Sequence, residues 1–268
     1  MSKIGNYIIT GKIGEGGFGK VYAAEHEILG TKVCVKRNTF PSEEDVELLK
    51  YEARLLWQLD EHHSIPAIKD FFLLDEENAA MVLKFIEGKT LEELVDKKGP
   101  IHPEDASWIT ERLLGALYYI HCHGVVHTDV KPQNVFIEPR KRDIKLIDFG
   151  LASFKPTSAT KPLGYTPKYA APELIIKNPP TPETDLYGVG MVMLRALGGD
   201  INKRAFRDDT PEELVDFGNK LLLYDPKERP NWDKENLIET LSDIREKVFG
   251  RRHCGTPPKL KAVKGGGI

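Results

Sequence analysis

The first forty residues and the remainder of the chain follow different hydrophobic rhythms. Between Asn6 and Phe40 apolar and polar positions alternate around glycines, a period of two that predicts twisted antiparallel strands. From Ser42 to Leu59 the spacing changes: Val46, Leu49, Ala53, Leu56 and Leu59 share one helical face, and Pro41-Ser42-Glu43-Glu44 reads as a capped start. Two more strands are predicted at Ile65–Phe72 and Ala79–Phe85, around an acidic turn at Asp75-Glu76-Glu77-Asn78. Beyond Gly88 the pattern is helical, over Leu91–Lys97, Pro103–Cys122, Thr184–Leu197, Pro211–Leu223 and Lys234–Val248. A strand-rich front and a helix-rich back, changing over near Lys84–Gly88, predict an α+β protein of two lobes. No internal repeat interrupts this division. Arg251–Ile268 is basic at several positions, carries Gly265-Gly266-Gly267 and is expected to be a disordered tail.

Composition narrows the functional classes. With 268 residues, 40% of them hydrophobic, the chain can bury a real core as one catalytic unit. A net charge of −3 gives no bulk electrostatic reason to bind nucleic acid. The three cysteines, Cys34, Cys122 and Cys254, are far apart and form no Cys-x-x-Cys pair. That argues against a disulfide framework or zinc site and fits a reducing compartment. The opening MSKIGNYIIT lacks the apolar core of a signal peptide, and no 18-residue apolar run occurs. A cytoplasmic protein without membrane insertion is expected, open to recruitment by a partner.

The densest chemistry lies between His127 and Gly150. One stretch reads His127-Thr128-Asp129-Val130-Lys131-Pro132-Gln133-Asn134, and a second reads Asp148-Phe149-Gly150. Together they supply a carboxylate, a lysine two positions on, an asparagine five positions on and a second carboxylate. Phosphoryl transfer requires a base beside the incoming hydroxyl, a cation beside the moving phosphoryl group and hard oxygen ligands for magnesium. These residue types meet each requirement. In order and spacing the two stretches closely resemble the catalytic and metal-binding loops of eukaryotic-type (Hanks-type) serine/threonine protein kinases. The resemblance covers roughly residues 7–248. It implies the two-lobed protein kinase fold over 1–250: a β-rich N-lobe at 1–83, a hinge at 84–88 and a mostly helical C-lobe at 89–250.

On that resemblance Asp129 is the catalytic base, Lys131 neutralises charge on the γ-phosphoryl group of ATP, and Asn134 and Asp148 share Mg²⁺. Lysine at 131 matches serine/threonine kinases rather than tyrosine kinases. Gly14-Glu15-Gly16-Gly17-Phe18-Gly19-Lys20-Val21 is a G-x-G-x-x-G-x-V sequence. Alone it is weak, because dinucleotide-binding folds use similar glycines. Yet Val21-Tyr22-Ala23-Ala24-Glu25-His26 reads as a strand rather than a helix, and a Walker A lysine-threonine pair is missing. Strand, glycine loop, strand is the kinase arrangement. It implies that Ile13, Gly14, Glu15, Gly16, Gly17, Phe18, Gly19 and Val21 contact the nucleotide. Val33-Cys34-Val35-Lys36 resembles the family's V-A-I-K strand, so Lys36 is implied to hold the α- and β-phosphates. Glu52, on a helix shared with Glu43, Glu44 and Glu47, is implied as its partner. Cys34 replaces the alanine usual beside adenine, and packing rather than thiol reactivity is expected of it. Leu83 is implied to guard the back of the adenine pocket, backbone groups of Lys84 and Ile86 to bond the adenine edge, and Phe136 to complete the nucleotide set.

Three histidines occur in His121-Cys122-His123-Gly124-Val125-Val126-His127, but no cysteine pair or carboxylate completes a zinc set locally, and packing is expected of them. Gly164–Glu173 resembles the peptide-docking loop and the A-P-E end of an activation segment, with Thr166 implied to bond Asp129 and Lys131. Asp185-Leu186-Tyr187-Gly188-Val189-Gly190 resembles the buried D-x-W-x-x-G helix start, with Tyr187 in place of tryptophan. Arg229 is the implied buried partner of Glu173. This apparatus implies a protein substrate with a Ser or Thr acceptor rather than a small molecule or lipid.

Two departures stand out. Thr128 occupies the place of the arginine that usually pairs with a phosphate on the activation segment, so activity is expected to be largely independent of phosphorylation there. Thr157, Ser158 and Thr160 remain candidates for autophosphorylation. Only Gly198–Asp209 separates the long helix from the next, leaving little room for the docking helix the family places there. A pseudokinase scaffold is the alternative reading, although Lys36, Asp129, Asn134 and Asp148 are all intact. A regulatory partner acting on Glu52 is compatible with either.

Overall fold

In a computed structural model the chain divides into two compact units, residues 1–87 and 88–268. The structure describes residues 2–16, 19–59, 62–138 and 143–252. Gly17, Phe18 and most of the tail expectation (253–268) lie outside the described residues.

The first unit is one antiparallel sheet and one helix. Strands β1 (Lys3–Ile4), β2 (Tyr7–Gly16), β3 (Gly19–His26), β4 (Lys32–Arg37), β5 (Ile68–Leu73) and β6 (Ala79–Lys84) lie in the order β1-β2-β3-β4-β6-β5. Helix α1 (Glu43–Gln58) connects β4 to β5. Ser42 caps it, its side chain accepting from the Asp45 N–H, and Glu43, Glu44 and Asp45 favour its positive end. Period-two alternation sorts the sheet. Val33, Val35, Ala80 and Val82 pack with Ile4, Tyr7 and Ala24 in a buried cluster. Positions of the other parity, Cys34 and Lys36 among them, lie on the opposite face, where the bond from Lys36 to Glu52 shows that α1 sits. The Ile65–Phe72 strand begins three residues later than predicted. Pro66 offers no N–H for a ladder, and the Ile65 N–H closes a turn onto the His62 carbonyl.

The second unit is mostly helical: α2 (Leu91–Lys98), α3 (Pro103–Cys122), α4 (Pro172–Ile175), α5 (Pro182–Ala196), α6 (Glu212–Leu221) and α7 (Leu237–Phe249). Thr90 and Glu93 form a reciprocal capping box on α2. Helix α5 is buried along almost its whole length, the mark of a central helix. α3 and α6 pack against it, and α7 packs on α3. Short strands escaped the sequence reading because two to four residues establish no period. β7 (Lys89–Thr90), β9 (Val135–Glu138) and β10 (Asp143–Leu146) form one antiparallel ladder, and β8 (Val125–Val126) pairs with β11 (Ser153–Phe154). Helix α7 starts at Leu237 rather than Lys234, because the Asn231 side chain holds Lys234 in a turn and Asn236 is the cap.

Between α5 and α6 the twelve residues 198–209 contain no helix. They form a turn closed by an antiparallel bridge between Asp200 and Ala205. The start of the expected tail is also tied down: Arg251 pairs with Glu104 of α3, and Arg252 with Asp243 and Glu246 of α7. None of the described helices is long and apolar enough to cross a membrane.

Candidate active site

The sheet register assembles the first group of predicted residues. Gly14 faces Val21, Val21 faces Lys36, and Cys34 lies between Ala23 and Leu83 on the neighbouring strands. By parity Val21, Cys34, Lys36 and Leu83 therefore share one face. Val21, Cys34, Leu83 and Ile86 are only partly buried, and Ile13 is 54% exposed, so a half-open apolar surface surrounds the Lys36 side chain. The Lys84 N–H is bonded to the Ala67 carbonyl.

Two glycines of the β2–β3 hairpin are not required by packing among the described residues. A Cβ at Gly16 would meet open space, and one at Gly14 would make only an ordinary contact with Val21. Gly19 differs, since a Cβ there would lie 2.7 Å from the Arg37 carbonyl. Packing explains Gly19, whereas at Gly14 and Gly16 a side chain would find room. Glu15 pairs with Lys12 on the exposed strand, which lowers its carboxyl pKa.

Lys36 is 6% exposed and its ammonium lies 2.9 and 2.8 Å from the two oxygens of Glu52, itself 3% exposed. Glu52 is thus singled out from the other acids of α1; Glu47 pairs instead with Lys50 at 2.6 Å. Burial pushes the Cys34 thiol up to about 11, with the neighbouring Lys36 charge opposing it, so the thiol stays protonated and unreactive near neutrality.

In the second unit the hairpin β9–β10 does the assembling. Val135 pairs with Leu146, and the Ile147 N–H donates to the Asn134 carbonyl at 2.9 Å. Asn134 and Asp148, fourteen residues apart in sequence, flank the same end of that ladder. The amide of Asn134 donates to the Asp129 carbonyl (2.9 Å) and carboxylate (3.1 Å), which turns its oxygen the other way. An amide oxygen and a carboxylate are hard donors of the kind Mg²⁺ takes. Phe136, on β9, is partly buried.

Asp129, Lys131 and Thr166 close a ring. The Lys131 ammonium is 2.5 Å from Asp129 Oδ2 and 2.7 Å from Thr166 Oγ1, and the Thr166 hydroxyl donates to Asp129 Oδ1 at 2.7 Å. With Asn134 on Oδ2, the carboxylate is fixed in rotation and keeps a lone pair on Oδ1 for another hydroxyl.

The loops are held from beneath. Asp185 of α5 accepts from the His127 and Thr128 N–H groups at 2.7 Å each, with Thr128 at φ +65°. Asp148 is likewise at φ +65°. His127 Nε2 lies 3.0 Å from the Ile147 carbonyl and its ring meets Phe149 edge-on at 4.7 Å. The Thr128 hydroxyl donates to the Leu151 carbonyl at 2.6 Å, just beyond Asp148-Phe149-Gly150. Gly188 permits this arrangement, since a Cβ there would lie 2.7 Å from the Val130 carbonyl.

Glu173 and Arg229 meet as the sequence implied. The guanidinium reaches both carboxylate oxygens at 2.7 and 2.8 Å and also the carbonyls of Leu223, Tyr224 and Glu183. All five of its N–H donors are used. Its plane lies over the Tyr187 ring at 4.9 Å, so the residue that replaces tryptophan still carries an aromatic face. No His/Cys/Asp/Glu cluster able to hold a metal occurs among the described residues, and His121 and His127 are engaged in hydrogen bonds.

Sequence reasoning missed a polar cluster around Tyr169. Glu92 of α2 accepts from Arg195 of α5 at 2.8 Å, from Gln133 at 3.3 Å and from the Tyr169 hydroxyl at 3.4 Å. Burial, then the Glu92 charge, raises the Tyr169 pKa. No spacing rule links residues 92, 133, 169 and 195; only the folded unit brings them together.

Comparison with known proteins agrees with this geometry. Residues 7–239 match the family described as protein kinase domain. The serine/threonine-protein kinase PknH of Mycobacterium tuberculosis is 35% identical over 220 residues, 80% of this chain and 34% of that protein. The serine/threonine-protein kinase PrkC of Bacillus subtilis is 35% identical over 206 residues, 74% of this chain and 31% of that protein. The chain thus spans about a third of the length of these relatives. With a family match over most of its length, two intact loops and the buried Glu173–Arg229 pair, the chain belongs to the protein kinase domain family.

Proposed function

We propose that this chain is an ATP- and Mg²⁺-dependent serine/threonine protein kinase that transfers the γ-phosphoryl group to Ser or Thr hydroxyls of protein substrates. The ring of Asp129, Lys131 and Thr166 carries the reading: a carboxylate, a cation and a docking-loop hydroxyl locked at 2.5–2.7 Å. The relatives bear serine/threonine kinase names, which supports the same acceptor chemistry.

In this reading the free lone pair of Asp129 Oδ1 receives the acceptor hydroxyl, orients its oxygen toward phosphorus and takes its proton as the O–P bond forms. Lys131 sits where negative charge grows on the phosphoryl oxygens. Lys36, steered by Glu52, holds the α- and β-phosphates, and the bare backbone at Gly14 and Gly16 admits them. Asn134 and Asp148 hold Mg²⁺, which when bound neutralises phosphate charge. The partly buried Val21, Cys34, Leu83 and Ile86 supply apolar contacts for adenine, joined by Ile13 and Phe136.

Thr128 leads us to propose that turnover does not depend on activation-segment phosphorylation. Its hydroxyl ties the Asp129 loop to Leu151 without any phosphate. Thr157 and Ser158 are exposed and open to autophosphorylation without a regulatory consequence. We further propose a cytoplasmic setting and a regulatory partner that acts on α1 through Glu52.

The test is transfer from γ-labelled ATP with Mg²⁺, to the protein itself and to a generic basic protein, with phosphoamino-acid analysis. Phosphoserine or phosphothreonine that disappears in Asp129→Asn is expected. ATP binding without transfer in the unmutated chain would overturn the reading.

A further inference from the structure

Beneath the Asp129 loop, side chains from three segments meet end to end. Asp185 is fully buried and already accepts the His127 and Thr128 N–H groups. A third partner, His121 Nε2 near the end of α3, lies 2.8 Å from Asp185 Oδ2. On the far side of that ring, His121 Nδ1 is 2.8 Å from the indole Nε1 of Trp232, in the segment before α7. An indole N–H can only donate. Nδ1 is therefore the acceptor and carries no proton, and the one proton of the neutral ring sits on Nε2, aimed at Asp185.

We infer that Trp232 is a positioning residue for the Asp129 loop: its indole N–H keeps His121 neutral with the proton on Nε2. Asp185 then shares its charge among three N–H donors, two of which belong to the loop. Protonation of Nδ1 would set two donors against each other and forfeit the indole bond. An imidazolium at 121 would also compete with the His127 and Thr128 N–H groups for the Asp185 carboxylate. The loop would lose part of what holds Thr128 at positive φ, and with it the placement of Asp129.

The surroundings leave this assignment to Trp232. Asp185 faces the ring from α5, and the uncharged indole faces it from the segment before α7. From its own helix, Tyr118 meets the Trp232 ring edge-on at 5.2 Å, with its hydroxyl bonded to Cys122. The His121 side chain is 3% exposed, so no bulk water competes for Nδ1.

The inference rests on Asp129 as the base, and the test separates the two. The full chain, labelled with ¹⁵N-histidine, would be followed by long-range ¹H–¹⁵N correlation from about pH 5 to 9, alongside kcat and KM. Two variants remove the donor: Trp232→Phe, and replacement of Trp232 by 3-benzothienylalanine, which keeps the ring outline and exchanges the N–H for sulfur. In the unmutated protein His121 should show the Nε2–H tautomer throughout. In both variants it should titrate, and kcat should fall roughly fivefold on the acid side of that midpoint, with KM for ATP unchanged. If Trp232→Phe does not fold, the benzothienyl variant decides alone. An imidazolium in the unmutated protein, or a variant whose His121 stays neutral, overturns the inference, as does a pH-independent loss of kcat. The ring resonances report on His121 whether or not phosphoryl transfer is seen.

Discussion

The two units hold their functional lysines in opposite ways. The Lys36 ammonium meets both oxygens of Glu52, which is carried by helix α1. Lys131 belongs to a closed ring with Asp129 and Thr166, anchored through Asn134, Asp185 and the Thr128–Leu151 bond. A bidentate contact to one helix changes when that helix moves. A redundant network resists partial disruption, because each member has several reasons to stay. Control of activity is therefore expected through α1, and constancy is expected of the Asp129 loop.

The strongest test attacks the network at its chemical centre. Asp129→Asn keeps size and most hydrogen bonds but cannot accept the hydroxyl proton. Loss of about a thousandfold in kcat is expected, with KM for ATP changed little. Retention of one tenth of the activity would show that the ring positions substrate without acting as base. Next in size is the buried pair of Glu173 and Arg229. Arg229→Met leaves Glu173 charged and unpaired and strips donors from three carbonyls, a loss of about 3–5 kcal/mol. Chemical denaturation measures it; a loss under about 1 kcal/mol would mean that water replaces the guanidinium.

Breaking the Lys36–Glu52 contact probes the first unit. Glu52→Gln retains shape and removes the charge that steers Lys36. A 10- to 100-fold loss in kcat/KM for ATP is expected, accompanied by a loss of stability, because the buried Lys36 ammonium is left without the Glu52 charge. If Asp129-loop variants and Glu52→Gln lose activity and stability in the same ratio, the contrast between the units is wrong. Thr128→Val tests the network's tolerance. It deletes only the 2.6 Å bond to the Leu151 carbonyl, and a three- to tenfold fall in turnover is expected. Phosphatase treatment should change the unmutated enzyme by less than that. A larger fall on phosphatase treatment would assign the ordering role to a phosphate instead.

The same contrast explains what the sequence disclosed. Asp129, Lys131, Asn134 and Asp148 could be singled out because the chemistry expected of them calls for particular residue types at short spacings, Asn134 five positions and Asp148 nineteen after Asp129. Glu52 was named only through the resemblance, since four glutamates share α1 and only the helix phase selects the one that reaches Lys36 of β4. The long helices were readable from their period, whereas β7 to β11 were too short to show any. Contacts between distant segments were the least accessible. Glu92 with Arg195, His121 with Trp232 and Thr128 with Leu151 join residues whose separate types are ordinary at their positions. Their meaning arises from the approach of elements, which no local pattern encodes.

Cys34 supplies the smallest effect and the sharpest check on the β-rich unit. It shares a sheet face with Lys36, and a nearby cation would ordinarily favour the thiolate. Burial opposes this and prevails, raising the thiol to about 11. The sign follows directly: the raised value keeps the thiol protonated at neutral pH, so alkylation should be slow there and climb with pH until about 11. Cys122 is exposed and serves as the internal reference. Iodoacetamide at pH 7 should label Cys122 well before Cys34, as read by peptide mass spectrometry. Cys34→Ala should leave kcat within about twofold, because nothing in the chemistry needs sulfur. Saturating ATP should slow labelling of Cys34 further and leave Cys122 unaffected if the face shared by Val21, Cys34 and Leu83 receives adenine. Equal protection of both thiols would point to a general tightening of the fold, and no protection of Cys34 would move the nucleotide off that face.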